Sequence, residues 1–211
     1  YGFDGLWLTQ WNLNILWGLA WPEVLGDLSA CLIQYADNGV LLPRGACSGG
    51  YSFIMTGCPA TNMLVSTYMK DLMKKTKPSH AYEAIKRNHA PGGMMSYESA
   101  DDLKFYVKKG YCPGNAGKTL EWAFQDWGLS RMALRMGKKS DAALYEKRSR
   151  AWTPLFNKNI GLILPKKENG EWLHTDPLNG QGWVEANAWQ ATWSVSHDLP
   201  KLVELMGGGD A

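Results

Sequence analysis

The pattern that decides the fold begins at Lys118-Thr119-Leu120-Glu121-Trp122-Ala123-Phe124-Gln125-Asp126-Trp127 and runs on to residue 136. Apolar residues recur there at the three- and four-residue spacing of a helix that buries one face. Gly137 follows directly, and glycine is the residue most often found just past the end of a helix. We therefore predict one long helix over residues 118–136.

Shorter patterns of the same kind fill most of the remaining chain. They predict helices over residues 6–19, 23–36, 59–75, 79–88, 99–109, 140–156 and 182–196. Residues 41–58 are rich in glycine and proline and predict a long loop, and Asn169-Gly170 predicts the turn of one short hairpin within residues 161–174. No strand alternates with the helices as parallel βαβ units require. The sequence therefore predicts an all-α fold.

Length and charge restrict the classes of protein to which the chain can belong. Its 211 residues suffice for one domain with a sizeable core, and its formal net charge is +2. So small a charge gives no general electrostatic case for binding nucleic acid. No apolar run approaches the roughly 20 residues of a membrane-spanning helix. The first residue is Tyr1 rather than a methionine, so we expect a fragment or a processed product.

Cysteine and tryptophan are the next informative residue types. The four cysteines lack the close pairing typical of zinc sites. A disulfide between Cys47 and Cys58 is geometrically feasible, but the sequence does not establish it. The eleven tryptophans fall only within residues 7–21 and 122–193. Such a concentration of ring faces is typical of a tryptophan-rich core or of a carbohydrate cleft.

One carboxylate, Glu185, lies among the tryptophans and amides of residues 182–193. At helical spacing Glu185, Trp189 and Trp193 share one face. Ring faces suit the apolar side of a sugar, amides suit its hydroxyls, and an apolar wall raises a carboxyl pKa towards the range of a general acid. The alternative is a buried tryptophan helix whose glutamate caps a loop or pairs with an arginine, and composition alone favours that alternative.

Three stretches, in order along the chain, resemble the family 92 glycoside hydrolases. Residues 118–127 are similar to that family's K-T-L-E-Y-A-Y-D-D-W, residues 185–193 to its E-G-N-A-W-Q-Y-T-W, and residues 196–208 to its P-H-D-V-x-G-L-I-x-L-M-G-G tail. The resemblance runs from about Trp7 to Met206 and covers nearly the whole chain. It implies a calcium-dependent, inverting and exo-acting α-mannosidase that trims α-linked mannose from glycans.

The same resemblance implies an architecture and a setting. Residues 1–211 would form part of an (α/α)6 toroid, while an N-terminal β-sandwich domain and the C-terminal part of the toroid would lie outside this chain. The whole protein would be secreted, periplasmic or on the surface of a bacterium. Its expected partners are a mannose-containing glycan and the β-sandwich domain of the same protein, with no nucleic acid and no membrane span.

Matching positions imply the site residues. Glu185 would be the general acid, and the catalytic base would lie outside this chain. Calcium would take most of its ligands from outside the chain, with Asn187 and Gln190 as local contributors. Trp7, Arg44 and Trp189 would contact the sugar. Two further sugar contacts are expected without a family match: Trp11, from the clustering of tryptophans, and His174, as a residue at the rim of the cleft. An ion pair for Arg44 and an ordinary hydrogen-bonded loop position for His174 are the alternatives.

The first predicted helix departs from the family pattern S-I-W-D-T-F-R. Leu8 stands where the pattern has Asp, Trp11 stands where it has Arg, and Cys58 replaces the Asp of the family's G-D-P-A. Each lost charge-assisted hydrogen bond to a sugar hydroxyl costs about 1.5–3 kcal/mol, so a neighbouring acid such as Asp4 would have to compensate. Two alternatives therefore stay open: a non-hydrolytic carbohydrate-binding or other-sugar relative, and a structural helical-toroid domain.

Overall fold

The computed structural model describes residues 5–97 and 99–209. Along them the chain forms ten helices: α1 Leu6–Thr9, α2 Leu13–Ala20, α3 Pro22–Gly39, α4 Pro59–Met69, α5 Pro78–Asn88, α6 Ala100–Lys109, α7 Ala116–Arg135, α8 Lys139–Arg148, α9 Ala188–Ala191 and α10 Leu199–Met206. Two small antiparallel hairpins pair β1 Gly45–Cys47 with β2 Gly50–Ser52, and β3 Phe156–Asn157 with β4 Leu162–Ile163. The predicted all-α class is confirmed, since the described residues contain no larger sheet.

Helix α7 contributes to both hydrophobic cores. Leu129 packs in the core that α3, α4 and α5 share, and Trp122 packs in the core formed with α6 and the residues after α8. Asn115 caps the start of α7 by accepting a hydrogen bond from the backbone N–H of Lys118. The helix begins two residues before the predicted range and ends one residue before its end. Residues of α7 thus contribute to both cores.

The predicted helix over residues 6–19 is interrupted. Helix α1 ends at Thr9, and Asn12 then adopts a non-helical backbone conformation with φ −146°. Its side chain accepts a hydrogen bond from the backbone N–H of Leu13 and so starts α2 as a separate helix. The break lies beside Trp11, which is in neither helix.

Residues 41–58 form the predicted long loop except at one short hairpin, β1–β2, which the sequence analysis did not predict. Ser48 and Gly49 both have positive φ values, 50° and 78°. Two such residues in succession form a turn whose twist matches that of paired strands, so β1 and β2 can pair across them. The glycine density that suggests a loop therefore marks a tight hairpin.

The region after α8 also differs from its prediction. A helix was expected over residues 140–156, but α8 ends at Arg148, and a short 3-10 turn, Thr153–Leu155, follows. The hairpin expected within residues 161–174 is present only as an isolated bridge between Lys166 and Trp172 around Asn169-Gly170. Strand β4 pairs instead with β3. The sequence analysis did not predict β3, because it assigned residue 156 to the end of a helix.

The structure bears on two questions raised by the composition: a disulfide between Cys47 and Cys58, and a helix that spans a membrane. Cys47 and Cys58 are both free, so no disulfide joins them. Cys58 is buried, and its Sγ lies 3.7 Å from the backbone carbonyl oxygen of Asn88. Over the described ranges, none of the helices combines the length and the apolarity that crossing a bilayer demands.

A buried ion pair links α7 to α8. The carboxylate of Asp126 accepts hydrogen bonds from Arg148 Nε at 2.8 Å and from the Tyr106 hydroxyl at 2.9 Å. Its other oxygen lies 2.8 Å from Nδ1 of His89, whose Nε2 contacts the hydroxyl of Thr61. The Asp126 and His89 side chains are inaccessible to solvent. Every polar group in this cluster thus has a partner, as burial requires.

We expect Asp126→Ala to lower the free energy of unfolding by about 3–5 kcal/mol, because it leaves the Arg148 guanidinium buried without its counter-charge. Urea unfolding followed by circular dichroism measures this loss. Asp101→Ala is the matched control, since Asp101 pairs with Lys104 on the exposed face of α6, and we expect no measurable change there. Equal stability losses for the two variants would contradict the assigned importance of the buried pair.

Candidate active site

A cavity of about 170 Å³ lies where the start of the chain meets α7 and the segment before α9. Its walls are mostly apolar and aromatic, with a few polar side chains. The residues that line it are Trp7, Trp11, Thr56, Gly117, Leu120, Glu121, Trp183, Val184, Glu185, Ala186, Gln190, Ala191 and Ser194. The two tryptophan-rich regions of the sequence thus meet in one concave site, a shape typical of small-molecule binding.

Glu121 supplies the buried carboxyl group of this cavity. It is only 4% exposed. Trp7 Nε1 donates to its Oε1 at 2.8 Å, while Gln10 Nε2 at 2.5 Å and Gln125 Nε2 at 3.2 Å donate to its Oε2. Burial raises the pKa of Glu121 to about 8, against the opposing effects of the hydrogen bonds from Gln10 and Trp7 and of the Arg44 charge. The carboxyl group therefore exchanges its proton close to neutral pH.

The sequence analysis quoted Glu121 within a motif but gave it no role. The signal available was a carboxylate within the apolar pattern of α7, one helical turn before Gln125. What the sequence does not contain is the contact with Trp7, which lies 114 positions away along the chain. Only the fold brings that indole to the carboxylate.

Amide side chains join Glu121 to the neighbouring elements. Gln10 Oε1 accepts hydrogen bonds from Asn62 Nδ2 at 3.0 Å and from Gln125 Nε2 at 3.2 Å. Gln125 Oε1 in turn accepts the backbone N–H of Cys58 at 2.7 Å. A Cβ on Gly57, whose φ is 73°, would lie only 2.7 Å from Gln125 Nε2. Glycine at that position lets the backbone pass close enough to α7 for this hydrogen bond.

Glu185 lines the cavity from a bend rather than from a helix. The helix predicted over residues 182–196 is wrong: α9 spans only Ala188–Ala191, and a 3-10 turn, Thr192–Ser194, follows it. Asn187 and Gln190 form a capping box that starts α9 after Glu185. Glu185 itself has a φ of 52°, a left-handed conformation that is strained for a residue with a Cβ.

Because the helix starts late, the shared face of Glu185, Trp189 and Trp193 does not form. Trp189 is 53% exposed and Trp193 is 54% exposed, and neither ring lines the cavity. Trp7 and Trp11 line it as expected. The Trp11 ring also stacks on Phe124 of α7, with ring centroids 5.0 Å apart. The aromatic walls next to the carboxylates are therefore Trp7, Trp11 and Trp183.

Arg44 lies away from the cavity surface and holds a loop. Its buried guanidinium donates hydrogen bonds to the backbone carbonyls of Phe53, Met55, Gly57 and Met94. These bonds fix the residues on either side of Thr56, which does line the cavity. The contacts described for Arg44 thus support the loop, and its contact with a substrate hydroxyl stays a prediction.

His174 also lies outside the cavity lining. Its Nε2 is 2.9 Å from the backbone carbonyl oxygen of Gln181, as for an ordinary hydrogen-bonded loop histidine. Leu8, at the position of the family's Asp, is 55% exposed and does not line the cavity. Asp4, the acid suggested as a replacement for that Asp, lies outside the described residues. The buried carboxylate found near Trp7 is Glu121 instead.

The amide oxygens proposed as calcium ligands already have partners. Asn187 Oδ1 accepts the backbone N–H of Gln190, and Gln190 Oε1 accepts the backbone N–H of Asn187. The described part of the chain holds no cluster of three or more His, Cys, Asp or Glu side chains able to bind a metal. Calcium prefers six to eight oxygen ligands. The described residues therefore do not form a calcium site by themselves.

A helical domain whose aromatic cavity contains two carboxyl groups has the features of a carbohydrate-active enzyme. The sequence matches the model of the glycosyl hydrolase family 92 catalytic domain over residues 1–211. The chain belongs to that family, and its fold is part of the family's helical toroid. The resemblance found in the motifs is thereby confirmed.

Individual relatives show the same relationship. A family GH92 inverting mannosidase from Bacteroides thetaiotaomicron superposes with a TM-score of 0.89 at 28% identity, over 98% of this chain and 29% of that one. A GH92 α-mannosidase from the same organism gives 0.86 at 25% identity, over 98% and 28%. A protein described as an uncharacterized secreted glycosidase from Arthroderma benhamiae is 24% identical, over 92% of this chain and 30% of its own length. The chain thus spans about three tenths of these relatives.

The strained backbone at Glu185 yields a stability prediction. We expect Glu185→Gly to raise the free energy of unfolding by about 1 kcal/mol, because glycine adopts a positive φ without a Cβ clash. The matched control is Glu83→Gly on the exposed face of α5, where the same substitution should lower stability by about 1 kcal/mol. Chemical unfolding of both variants provides the comparison. A loss of stability at both positions would argue against strain at Glu185.

Proposed function

We propose that the protein containing this chain is an exo-acting, inverting α-mannosidase that trims α-linked mannose from glycans. The observation that carries the proposal is the presence of Glu185 and the Trp7 and Trp11 rings in one small cavity of a family 92 catalytic domain. Mannosidase activity in the two superposed Bacteroides relatives supports it.

In this proposal Glu185 protonates the oxygen of the leaving group. An inverting glycosidase also requires a carboxylate base about 6.5–9.5 Å from the acid, with room for the attacking water. That base is proposed to lie outside this chain, as the family resemblance implies. Trp7 and Trp11 would cover the apolar side of the sugar, and Arg44 would act indirectly by fixing the loop around Thr56. Trp189 and His174 lie outside the cavity lining and are given no contact with the sugar inside it.

Calcium enters the proposal through the family alone. Asn187 and Gln190 would contribute at most the second lone pairs of their amide oxygens, and the remaining ligands would come from outside this chain. No step of the chemistry assigned to these residues passes through the ion. Calcium would supply a fixed positive charge and hydroxyl coordination next to the sugar.

The whole protein would be larger than this chain. An N-terminal β-sandwich domain and the rest of the toroid are proposed to complete it, which agrees with a chain that spans about three tenths of its relatives. A location outside the cytoplasm is proposed on the same basis, and the secreted glycosidase among the relatives supports it. The bacterial source stays part of the proposal.

One specific observation favours a second candidate, a carbohydrate-binding or other-sugar relative without mannosidase activity. Leu8 and Trp11 stand where the family pattern has Asp and Arg, and the Trp11 ring stacks on Phe124 instead of presenting a charge. A purely structural toroid domain is less well supported. Such a domain gives no reason to bury the Glu121 carboxyl group against a cavity.

Glu185→Gln tests the proposed acid in the full-length protein. Removal of the proton donor should lower turnover of α-linked mannosides by about 10²–10⁴-fold while the fold is retained. Substrates with very good leaving groups need less protonation and should be rescued in part. Steady-state kinetics on a manno-disaccharide and on an activated aryl mannoside measure both effects, with and without a calcium chelator.

Glu168→Gln, a change in an exposed loop, is the control and should retain wild-type rates. Wild-type turnover of the poor leaving group by Glu185→Gln would contradict the role of the acid. We expect the isolated 211-residue chain to be inactive. Calcium-dependent turnover by that chain alone would contradict a base outside it.

A further inference from the structure

We propose that Glu121 is a sugar-binding residue of this cavity: it accepts a hydrogen bond from a hydroxyl of the bound sugar and holds the Trp7 ring against the sugar's apolar face. The inference rests on the proposed function and adds the hydroxyl acceptor that the family-based assignment lacks. It also defines the class of ligand as a neutral hexopyranose, since a cavity that contains Glu121 and Glu185 would repel an acidic sugar.

The first argument comes from the hydrogen-bonding capacity of the carboxylate. A carboxylate offers about four acceptor positions. Protein donors occupy three of them: Gln10 and Gln125 on Oε2, and Trp7 on Oε1. The remaining position is on Oε1, and Glu121 is part of the cavity wall. A ligand hydroxyl is the donor that completes this set.

The second argument comes from Trp7. Its indole N–H donates to Glu121 Oε1 at 2.8 Å while the residue itself lines the cavity. The same oxygen therefore fixes the orientation of the ring and lies next to the space that the ring faces. A pyranose has an apolar face bordered by hydroxyls, so one sugar can contact the ring and the carboxylate together.

A purely structural role explains the site less well. Glu121 receives its hydrogen bonds from the neutral donors Trp7, Gln10 and Gln125, whereas a structural ion pair would place a cation in that position.

Binding should then be coupled to pH. The ionisable groups around Glu121 are Arg44, the buried Cys58 thiol and Glu185 across the cavity. Burial raises the pKa of Glu121 to about 8, so the ligand-free carboxyl is largely protonated at lower pH. A sugar hydroxyl that donates to the carboxylate favours the ionised form. Affinity for the sugar should therefore fall as the pH drops below about 8.

The experiment is calorimetric titration of the full-length protein with mannose from about pH 6 to about pH 9. The wild-type protein should lose affinity towards the acidic end. Glu121→Gln keeps the shape but replaces the carboxylate, so its affinity above pH 8 should be about tenfold to a hundredfold lower and should no longer change with pH. Glu185→Gln should retain the pH dependence, which separates the two carboxyl groups.

Trp7→Phe provides an independent arm should Glu121→Gln fail to fold in thermal melting. Loss of the indole donor should move the midpoint of the pH dependence upwards, because the ionised carboxylate loses a hydrogen bond. An unchanged midpoint would overturn the proposed coupling between Trp7 and Glu121. Binding by Glu121→Gln with wild-type affinity and pH dependence would overturn the hydroxyl contact.

Kinetic constants distinguish the remaining outcomes. The inference predicts that Glu121→Gln raises KM for an α-mannoside much more than it lowers kcat. A loss of kcat of about a hundredfold with unchanged mannose affinity would overturn it in favour of a catalytic base. If the wild-type protein turns over mannosides but its mannose affinity is changed neither by Glu121→Gln nor by pH, the inference fails and the proposed function stands. No turnover and no mannose binding by the wild type would overturn both.

Discussion

The site depends on one constraint, the burial of the Glu121 carboxyl group on α7. A buried carboxyl group requires hydrogen-bond partners, because its desolvation is otherwise too costly for the fold. Trp7 and Gln10 come from the start of the chain to meet it, and Gln125 comes from the next turn of the same helix. Through Gln125 the same cluster holds the backbone at Cys58. The Glu121 side chain thus joins three parts of the chain around the cavity: the segment that contains Trp7, helix α7, and the loop that ends at Cys58.

This arrangement costs stability at neutral pH. The folded-state pKa of Glu121 is raised from 4.5 to about 8, so its contribution to stability is fully present below about pH 4.5 and is lost as the pH rises towards 8. The cost above that pH is on the order of 4 kcal/mol. His89 acts in the opposite direction, since burial lowers its pKa: its contribution is present above about pH 6.5 and is lost as the pH falls through the lower folded value. A carboxyl group that costs stability in this way is typical of a functional site.

The sequence predicted the parts of the molecule that depend on local pattern. Helices α6 and α7 follow from apolar spacing, and both are observed. The segment around Glu185 was predicted wrongly, because a capping box four residues long overrides an apolar pattern of fifteen positions. Asn12 interrupted the first helix in the same way. The start of each of these helices is set by a polar side chain that hydrogen-bonds to the backbone, and apolar periodicity does not detect such a side chain.

The site residues were predicted only in part, because contacts between residues far apart in the sequence are not visible in a local pattern. Tryptophan clustering and the family motifs correctly joined Trp7, Trp11 and Glu185 in one cavity. Arg44 and Trp189 were expected to contact the substrate from family motifs and His174 from its neighbours, yet Arg44 supports a loop and the other two lie outside the cavity lining. Glu121 was missed because its significance depends on a partner far away in the sequence. Long-range hydrogen bonds of this kind become visible only in the fold.

The central claim is that this cavity holds the terminal sugar of the substrate. The most direct measurement is an experimental structure of the full-length protein with a non-hydrolysable mannoside bound. We predict a sugar ring against Trp7, with a hydroxyl within about 3 Å of Glu121 Oε1 and the glycosidic oxygen facing Glu185. A mannoside bound elsewhere, with Trp7 and Glu121 unchanged and out of contact with it, would contradict the account.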